Sequence, residues 1–186
     1  MDDAPISRRG RLLVAAPTLD DPNFRRTVVL LLERSPEGAL GLVLNRPTEL
    51  LAHDALPPAL GAALPAGEYV HQGGPVQPEA VILLADFVDP GDAATLTFGS
   101  VGIVDPGADV AGLGDTVRAI RAFGGYAGWS DGQLEQEIAD EAWIDATGIA
   151  ADVFTDEPDR LWSAVLDRKG GSWRVLARLP EDPSLN

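Results

Sequence analysis

The chain has no cysteine among its 186 residues. That absence excludes disulfides, thiolate nucleophiles and Cys-ligated metals together, and it leaves the redox compartment undetermined. Histidine is nearly as scarce. His53 and His71 are the only two, and two histidines without a partnering pattern are a poor basis for a catalytic triad. Long apolar runs are missing as well. A strongly apolar stretch such as Val28 to Leu32 is far too short to cross a bilayer. The opening MDDAPISRRGRLLVAAP puts acids first and lacks the basic start and longer apolar core of a secretory signal. The expectation is a cytoplasmic protein that does not engage the membrane.

Positive charge is the other shortage. Fourteen Lys+Arg face twenty-nine Asp+Glu, for a net charge of −15 and a pI near 4.3. Most of such a surface repels a phosphate backbone, so direct nucleic-acid binding is disfavoured. The basic concentration is limited to Arg25 and Arg26 with Arg8, Arg9 and Arg11, and no motif interleaves aromatics with a basic patch as a nucleic-acid reader does. What is present suffices for a core: 45% hydrophobic residues in a chain of single-domain length. A domain over 10–179 is expected, with loose tails at 1–9 and 180–186.

Along the chain, GRLLVAAP reads as a short buried strand stopped by Pro17, and TLDDPNFRRT as a loop. TVVLLLE and ALGLVLN are β-rich runs joined by RSPEG, a hairpin whose first strand is apolar throughout and therefore central in its sheet. Residues 48–67 read as one short helix followed by a loop. EYVHQGGPV and AVILLAD read as strands, TLTFGSVGIV as strands turning at Gly99-Ser100, and 110–115 as a brief helix. DEPDRLWSAVLDRKGG carries acids first and bases last, the polarity a helix dipole favours. SWRVLARL alternates Trp173, Val175, Ala177 and Leu179 on one face, which reads as a half-buried strand. With strands in the majority and neighbours joined by hairpins, the class is α+β.

GYAGWSDGQLEQEI asks why Tyr126 and Trp129 crowd among glycines before an acidic helix. The expected answer is a helix start. Ser130 would be the N-cap and Gln133 its capping-box partner, with Trp129 stapled to Leu134. Tyr126 is not explained by it, because its hydroxyl needs water or a partner.

GRLLVAAPTLDDPNFRRTVVLLLE, GALGLVLNRP, QGGPV and GYAGWSDGQLEQEI…AW resemble, in that order, the motifs of the AlgH/YqgE-like family of small bacterial proteins, with a weaker match through VFTDEPDRLWSAVL. The resemblance implies one α+β domain with a mixed, mostly antiparallel, partly barrel-like sheet flanked by helices, and a strand over Arg118–Phe123, where the residues alone fit a helix equally well. One branch of the family is named for transcriptional control of alginate synthesis, and neither an enzymatic activity nor a cofactor comes with the resemblance. GYAGWS stands where the family typically has GYAGWG, which favours a cap. His71-Gln72 stand where members often carry other residues, so no role for His71 is implied.

The leading expectation is a binding or regulatory protein without demonstrated chemistry, acting on transcription only indirectly, with an unknown protein partner or a small anionic ligand and no cofactor. Its ligand site would lie where three motif ends meet: Asn45 and Arg46, Gly73 and Gly74, Tyr126 and Trp129. Arg46 would hold an anion unless it pairs with a carboxylate, which the acidic composition favours, and the glycine N–H groups and the aromatic rings would complete the site. The enzymatic alternative is metal-assisted hydrolysis through Asp20, Asp21 and Glu135, against which Asp20 and Asp21 read more simply as turn formers before Pro22. A direct DNA-binding regulator is the third class, opposed by the charge.

Overall fold

Strand β1 (Arg11–Ala15) is flanked by β2 (Val28–Ser35) and by β10 (Trp143–Thr147), both antiparallel to it. β2 turns through the expected hairpin into β3 (Gly38–Val43), and Val28 to Leu32 is buried on both faces. Five such side chains are each worth about 1.5–3 kcal/mol of transfer free energy, which makes this hairpin the anchor of the fold. After it come β4 (Pro47–Leu51), α1 (Ala52–Ala55), α2 (Pro58–Ala63), β5 (Tyr69–Gln72) and β6 (Val76–Phe87). β7 (Thr95–Phe98) and β8 (Val101–Ile103) turn at Gly99-Ser100 as expected, and a 3₁₀ turn spans Val110–Asp115. β9 (Val117–Ser130) leads to α3 (Gln133–Ala139). Beyond β10 lie α4 (Ala150–Val153), α5 (Pro158–Lys169) and α6 (Trp173–Leu176). The computed structural model describes residues 10–180, without the side chains of residues 110 and 111. The tail expected at 1–9, and that at 180–186 apart from Pro180, lie outside them.

Among the described residues, ten strands join one sheet in the order β10-β1-β2-β3-β9-β6-β8-β7, with β4 on β5 and β5 parallel to β9. β9 is the spine. Its last residues pair with β3, and its earlier ones pair with β6 along one edge while Phe123 and Gly124 meet β5 on the other. The sheet curls around one cluster to which both of its halves contribute, Leu12, Leu30 and Leu42 from one and Leu84, Val101 and Phe123 from the other, and α5 covers that cluster with Trp162. The outer face carries two further clusters. One lies under α1 and α2, the other joins Trp129, Trp143 and Leu134. The sheet is not closed, but the turn leading into β1 approaches β7 at Gly10 (φ +77°), where a Cβ would lie 2.7 Å from that of Phe98. The α+β single domain with a mostly antiparallel sheet is therefore as expected.

Three expectations need correction. Residues 47–51 form a strand before the helical turns, because the main chain of Pro47 and Leu51 finds partners in His71 and Tyr69. SWRVLARL is not a strand. Trp173, Leu176 and Ala177 pack at helical spacing, while Val175, which alternation would have buried, is 69% exposed. β9 does not stop at Phe123 but runs through the glycines to Ser130, so Ser130 is not the cap of α3. Gly132, in the left-handed region at φ +71°, takes that position. Half of the capping box survives, since the Ser130 N–H donates to Gln133 Oε1 at 3.1 Å, and Trp129 still packs in one cluster with Leu134.

Candidate functional site

The expected site residues are brought together only in part. The main chains of two motifs do meet: Pro47 pairs with His71, and the Gln72 N–H donates to the Arg46 carbonyl at 2.7 Å. Their side chains are committed to the architecture. Asn45 accepts from the Val28 N–H through Oδ1 and donates to the Arg26 carbonyl through Nδ2, both at 2.9 Å. Arg46 donates to the Arg25 carbonyl at 2.6 Å, and no carboxylate among the described residues lies within ion-pair distance of it. The pairing favoured from composition is thereby corrected to a backbone contact. The Gly73 N–H is spent on the Gly124 carbonyl at 2.8 Å, and Gly74 abuts the Tyr126 main chain so closely that a Cβ would lie 2.1 Å from its carbonyl carbon.

Tyr126 and Trp129 stand on opposite faces of β9. Tyr126 packs toward the inner cluster, and Trp129 packs with Phe24 and Trp143 outside. Both indole N–H groups, of Trp129 at 2.9 Å and Trp143 at 2.7 Å, donate to Glu137 Oε2. Trp129 is therefore a packing residue, as the staple reading had it, with Glu137 as its polar anchor. The metal alternative is not supported. Asp21 accepts from the Asn23 N–H at 2.8 Å in the turn expected of it, Glu135 is held by Arg34, and no group of three candidate ligands exists among the described residues.

A cavity of about 300 Å³ opens one step away from these motifs, lined by Pro47, Glu68, His71, Arg121 and Asp156 among others. Arg121 shares the inner face of β9 with Phe123, where an unpaired guanidinium would be costly. Three acceptors compensate it. Nε donates to Glu68 Oε1 at 2.5 Å, and Nη1 to the carbonyls of Val153 and Thr155, each at 3.0 Å. Val153 ends α4, so the guanidinium also satisfies a helix carbonyl left without an intrahelical partner. The two side chains of this ion pair are 7% and 16% exposed.

His71 sits opposite Phe123 across the parallel β5–β9 pairing, with ring centroids 5.7 Å apart. It is buried, at 4% exposure. Its Nδ1 lies 3.1 Å from the Tyr69 carbonyl, an obligate acceptor, so Nδ1 carries the hydrogen and Nε2 presents a lone pair. Nε2 is itself buried and has no hydrogen-bond partner. Burial pushes the imidazole pKa below the ordinary histidine value, and the Arg121 charge pushes it further. The Tyr69 carbonyl and Glu68 oppose this without reversing it. The wall of the cavity thus combines one guanidinium with a neutral imidazole acceptor and the carboxylates of Glu68 and Asp156, beside the exposed ring of Tyr69.

None of these five residues was among the site candidates. A usable signal existed for Arg121, an arginine set between Ile120 and Ala122 in a run whose neighbours must be buried. Glu68 and Asp156 lie in loops and give none. His71 was visible as a strand histidine but lacked any partner nearby in sequence.

Comparison with known proteins bears out the motif resemblance. A family described as AlgH-like matches residues 12–174. A UPF0301 protein of Streptomyces coelicolor is 44% identical over 188 residues, covering 97% of this chain and 96% of its own. A UPF0301 protein of Chlorobaculum tepidum is 37% identical over 195 residues, covering 97% of both. The crystal structure of a protein from Corynebacterium diphtheriae superposes with a TM-score of 0.86 at 25% identity, over 96% of this chain and 95% of that one. The solution structure of the AlgH protein from Pseudomonas aeruginosa does so with a TM-score of 0.70 at 32% identity, over 97% and 98%.

Proposed function

The chain belongs to the AlgH-like family, and from that premise we propose that it is a cytoplasmic binding or regulatory protein whose ligand enters the cavity at His71 and carries hydrogen-bond donors, most simply an ammonium or guanidinium group. The observation that carries this reading is His71 Nε2, a buried lone pair with no partner, on a residue that lines a cavity also lined by Glu68 and Asp156. Leaving a buried acceptor unmatched costs about 1–3 kcal/mol, and a donor-bearing ligand recovers that loss. Glu68 and Asp156 favour positive charge in the ligand, and Tyr69 offers a ring face to a cation. The reading replaces the small anion expected at Arg46, because that guanidinium is turned to the Arg25 carbonyl and Arg121, the arginine in this cavity, is already matched by Glu68 and two carbonyls. The family resemblance implies no role for His71, so the reading rests on the geometry of this chain alone. A transcriptional effect, in this view, passes through a protein partner, because a net charge of −15 opposes direct contact with DNA.

The test is a melting screen with lysine amide, arginine amide and a short diamine, beside acetate and phosphate as anionic controls. A ligand at one hundred times its Kd stabilises the folded state by about 2.7 kcal/mol. The amines are expected to raise the melting point of the parent and to lose that effect in His71→Leu and Glu68→Gln variants whose folding is checked by circular dichroism. A response to the anions alone, or an amine response intact in both variants, overturns the proposal.

A further inference from the structure

A second cavity, of about 340 Å³, lies between β1, β10 and the C-terminal end of α5. Its wall holds Arg11, Arg168 and Lys169 beside the Thr147 hydroxyl, with Ile149 and Val165 as apolar surface, and it contains no acidic residue. In a chain with twice as many acids as bases, three cations converging without an acid between them is a specific arrangement. Lys169 is moreover the chain's one lysine.

Two of these cations are balanced by carboxylates that lie outside the cavity wall. Asp145 accepts from Arg11 Nε at 3.1 Å and Nη2 at 2.5 Å. Asp152 accepts from Arg168 Nη1 at 2.9 Å and Nη2 at 2.6 Å. Neither Asp145 nor Asp152 is part of the cavity wall. Thr147 ties the two guanidiniums together, its hydroxyl accepting from Arg11 Nη1 at 2.7 Å and its carbonyl from Arg168 Nη2 at 3.2 Å. Lys169 Nζ donates to the Asp145 carbonyl at 2.7 Å and lies 5.4 Å from the centroid of the Trp173 ring. An ammonium has three hydrogens to donate, and this one meets no carboxylate within ion-pair distance among the described residues.

Two plainer explanations are insufficient. Cations in the last turn of a helix answer its C-terminal dipole, which accounts for Arg168 and Lys169 but not for Arg11, brought from β1. The negative charge of the whole chain repels anions at long range, but beyond about 8–10 Å that field is screened at physiological salt, so the wall itself decides what enters.

We propose that this cavity is a second binding site, for a small phosphate monoester, with the phosphate held by Arg11, Arg168 and Lys169 and its organic part laid against Ile149 and Val165. Guanidiniums already oriented by carboxylates lose little freedom when their remaining N–H groups take up phosphate oxygens. The apolar wall distinguishes an ester from free phosphate. The site stands apart from the His71 cavity and does not depend on the proposal made for it.

Isothermal titration with phenyl phosphate, inorganic phosphate and phenol, together with amide chemical-shift mapping, tests it. Phenyl phosphate is expected to bind more tightly than inorganic phosphate, phenol not to bind, and the perturbed amides to centre on Thr147, Ile149 and Lys169. Lys169→Gln alters an exposed side chain and is expected to weaken phenyl phosphate about tenfold, the loss of one charge-assisted hydrogen bond, whereas His71→Leu leaves it unchanged. No binding by the parent, an unchanged affinity in Lys169→Gln, or shifts centred elsewhere overturns the proposal.

Discussion

The two cavities are of similar size, about 300 and 340 Å³; the first has the Arg121–Glu68 pair in its wall and the second has Arg11, evenly exposed with Asp145, and Arg168, whose pair with Asp152 is turned the opposite way from the first. At the first, Arg121 is the more deeply placed partner, at 7% exposure against 16% for Glu68. At the second, Asp152 is almost enclosed at 4%, while Arg168 is 37% exposed. The acid is therefore the more exposed partner of the first contact, and the base the more exposed partner of the second. The supporting elements set the direction. Arg121 projects from the inner face of β9 under the end of α4, whereas Asp152 belongs to α4 itself and also accepts from the Ile149 N–H at 2.9 Å. The sign of a pocket is thus decided by which partner the backbone holds inside, and a net charge of −15 does not reveal it.

The largest effect that can break this comparison is expected at the first pair. Arg121→Ala leaves Glu68 and the carbonyls of Val153 and Thr155 without their donor, and removing one partner of a buried pair costs about 3–5 kcal/mol. Arg168→Ala strands Asp152 in the same manner, but water reaches the space the exposed guanidinium vacates, and about 2 kcal/mol is expected. Denaturant melts of both variants rank them. Equal losses, or the reverse order, would show that the depth of the arginine does not set the cost.

That difference was partly hidden in the sequence, for a definite reason. The central hairpin was legible because Val28 to Leu32 and the following turn are local signals of strand and connection. Helix α5 was legible because its acids and bases are ordered along it. Pro47–Leu51 was misread because its strand character comes from pairing with β5, a contact that local propensity does not encode. SWRVLARL was misread because Trp173 and Ala177, four residues apart, fit a helical face and an alternating pattern alike. The His71 cavity draws on β4, β5, β9 and the segment before α5, and Glu68 and Arg121 are 53 residues apart. The NRP and QGGP motifs pointed to its neighbourhood, since their main chains meet there, but not to its side chains.

A smaller effect tests the first cavity through pH. The folded chain holds His71 neutral more firmly than the unfolded chain does. Above the ordinary value of 6.5 both states are neutral and the group has no influence on stability. As pH falls below 6.5 the unfolded chain takes up the proton first, which favours unfolding, and the loss continues until the lower folded pKa is reached. One such group contributes at most about 1.4 kcal/mol per pH unit. Urea melts between pH 7 and 5 are expected to show a loss in the parent that His71→Leu reduces. The same pH dependence in both would place the titration elsewhere. The second cavity contains no histidine in its wall, and Lys169→Gln is expected to retain the full dependence.

The smallest effect is expected at Arg46, which marks the boundary of the comparison. It precedes Pro47, which lines the first cavity, yet its guanidinium turns away to the Arg25 carbonyl at 2.6 Å. Unlike Arg121 and Arg168 it has no carboxylate within ion-pair distance among the described residues, so its removal strands no charge. What is lost is one partly exposed hydrogen bond from a charged donor, and the freed carbonyl can be hydrated. Arg46→Ala is therefore expected to cost about 1 kcal/mol, well below either paired arginine, and to leave the amine response of the parent in place. A thermal melt of the variant with and without lysine amide measures both quantities. A loss of 3 kcal/mol or more would mean that Arg46 has a buried acidic partner after all. An unchanged melting point with the amine response abolished would make Arg46 part of the ligand site.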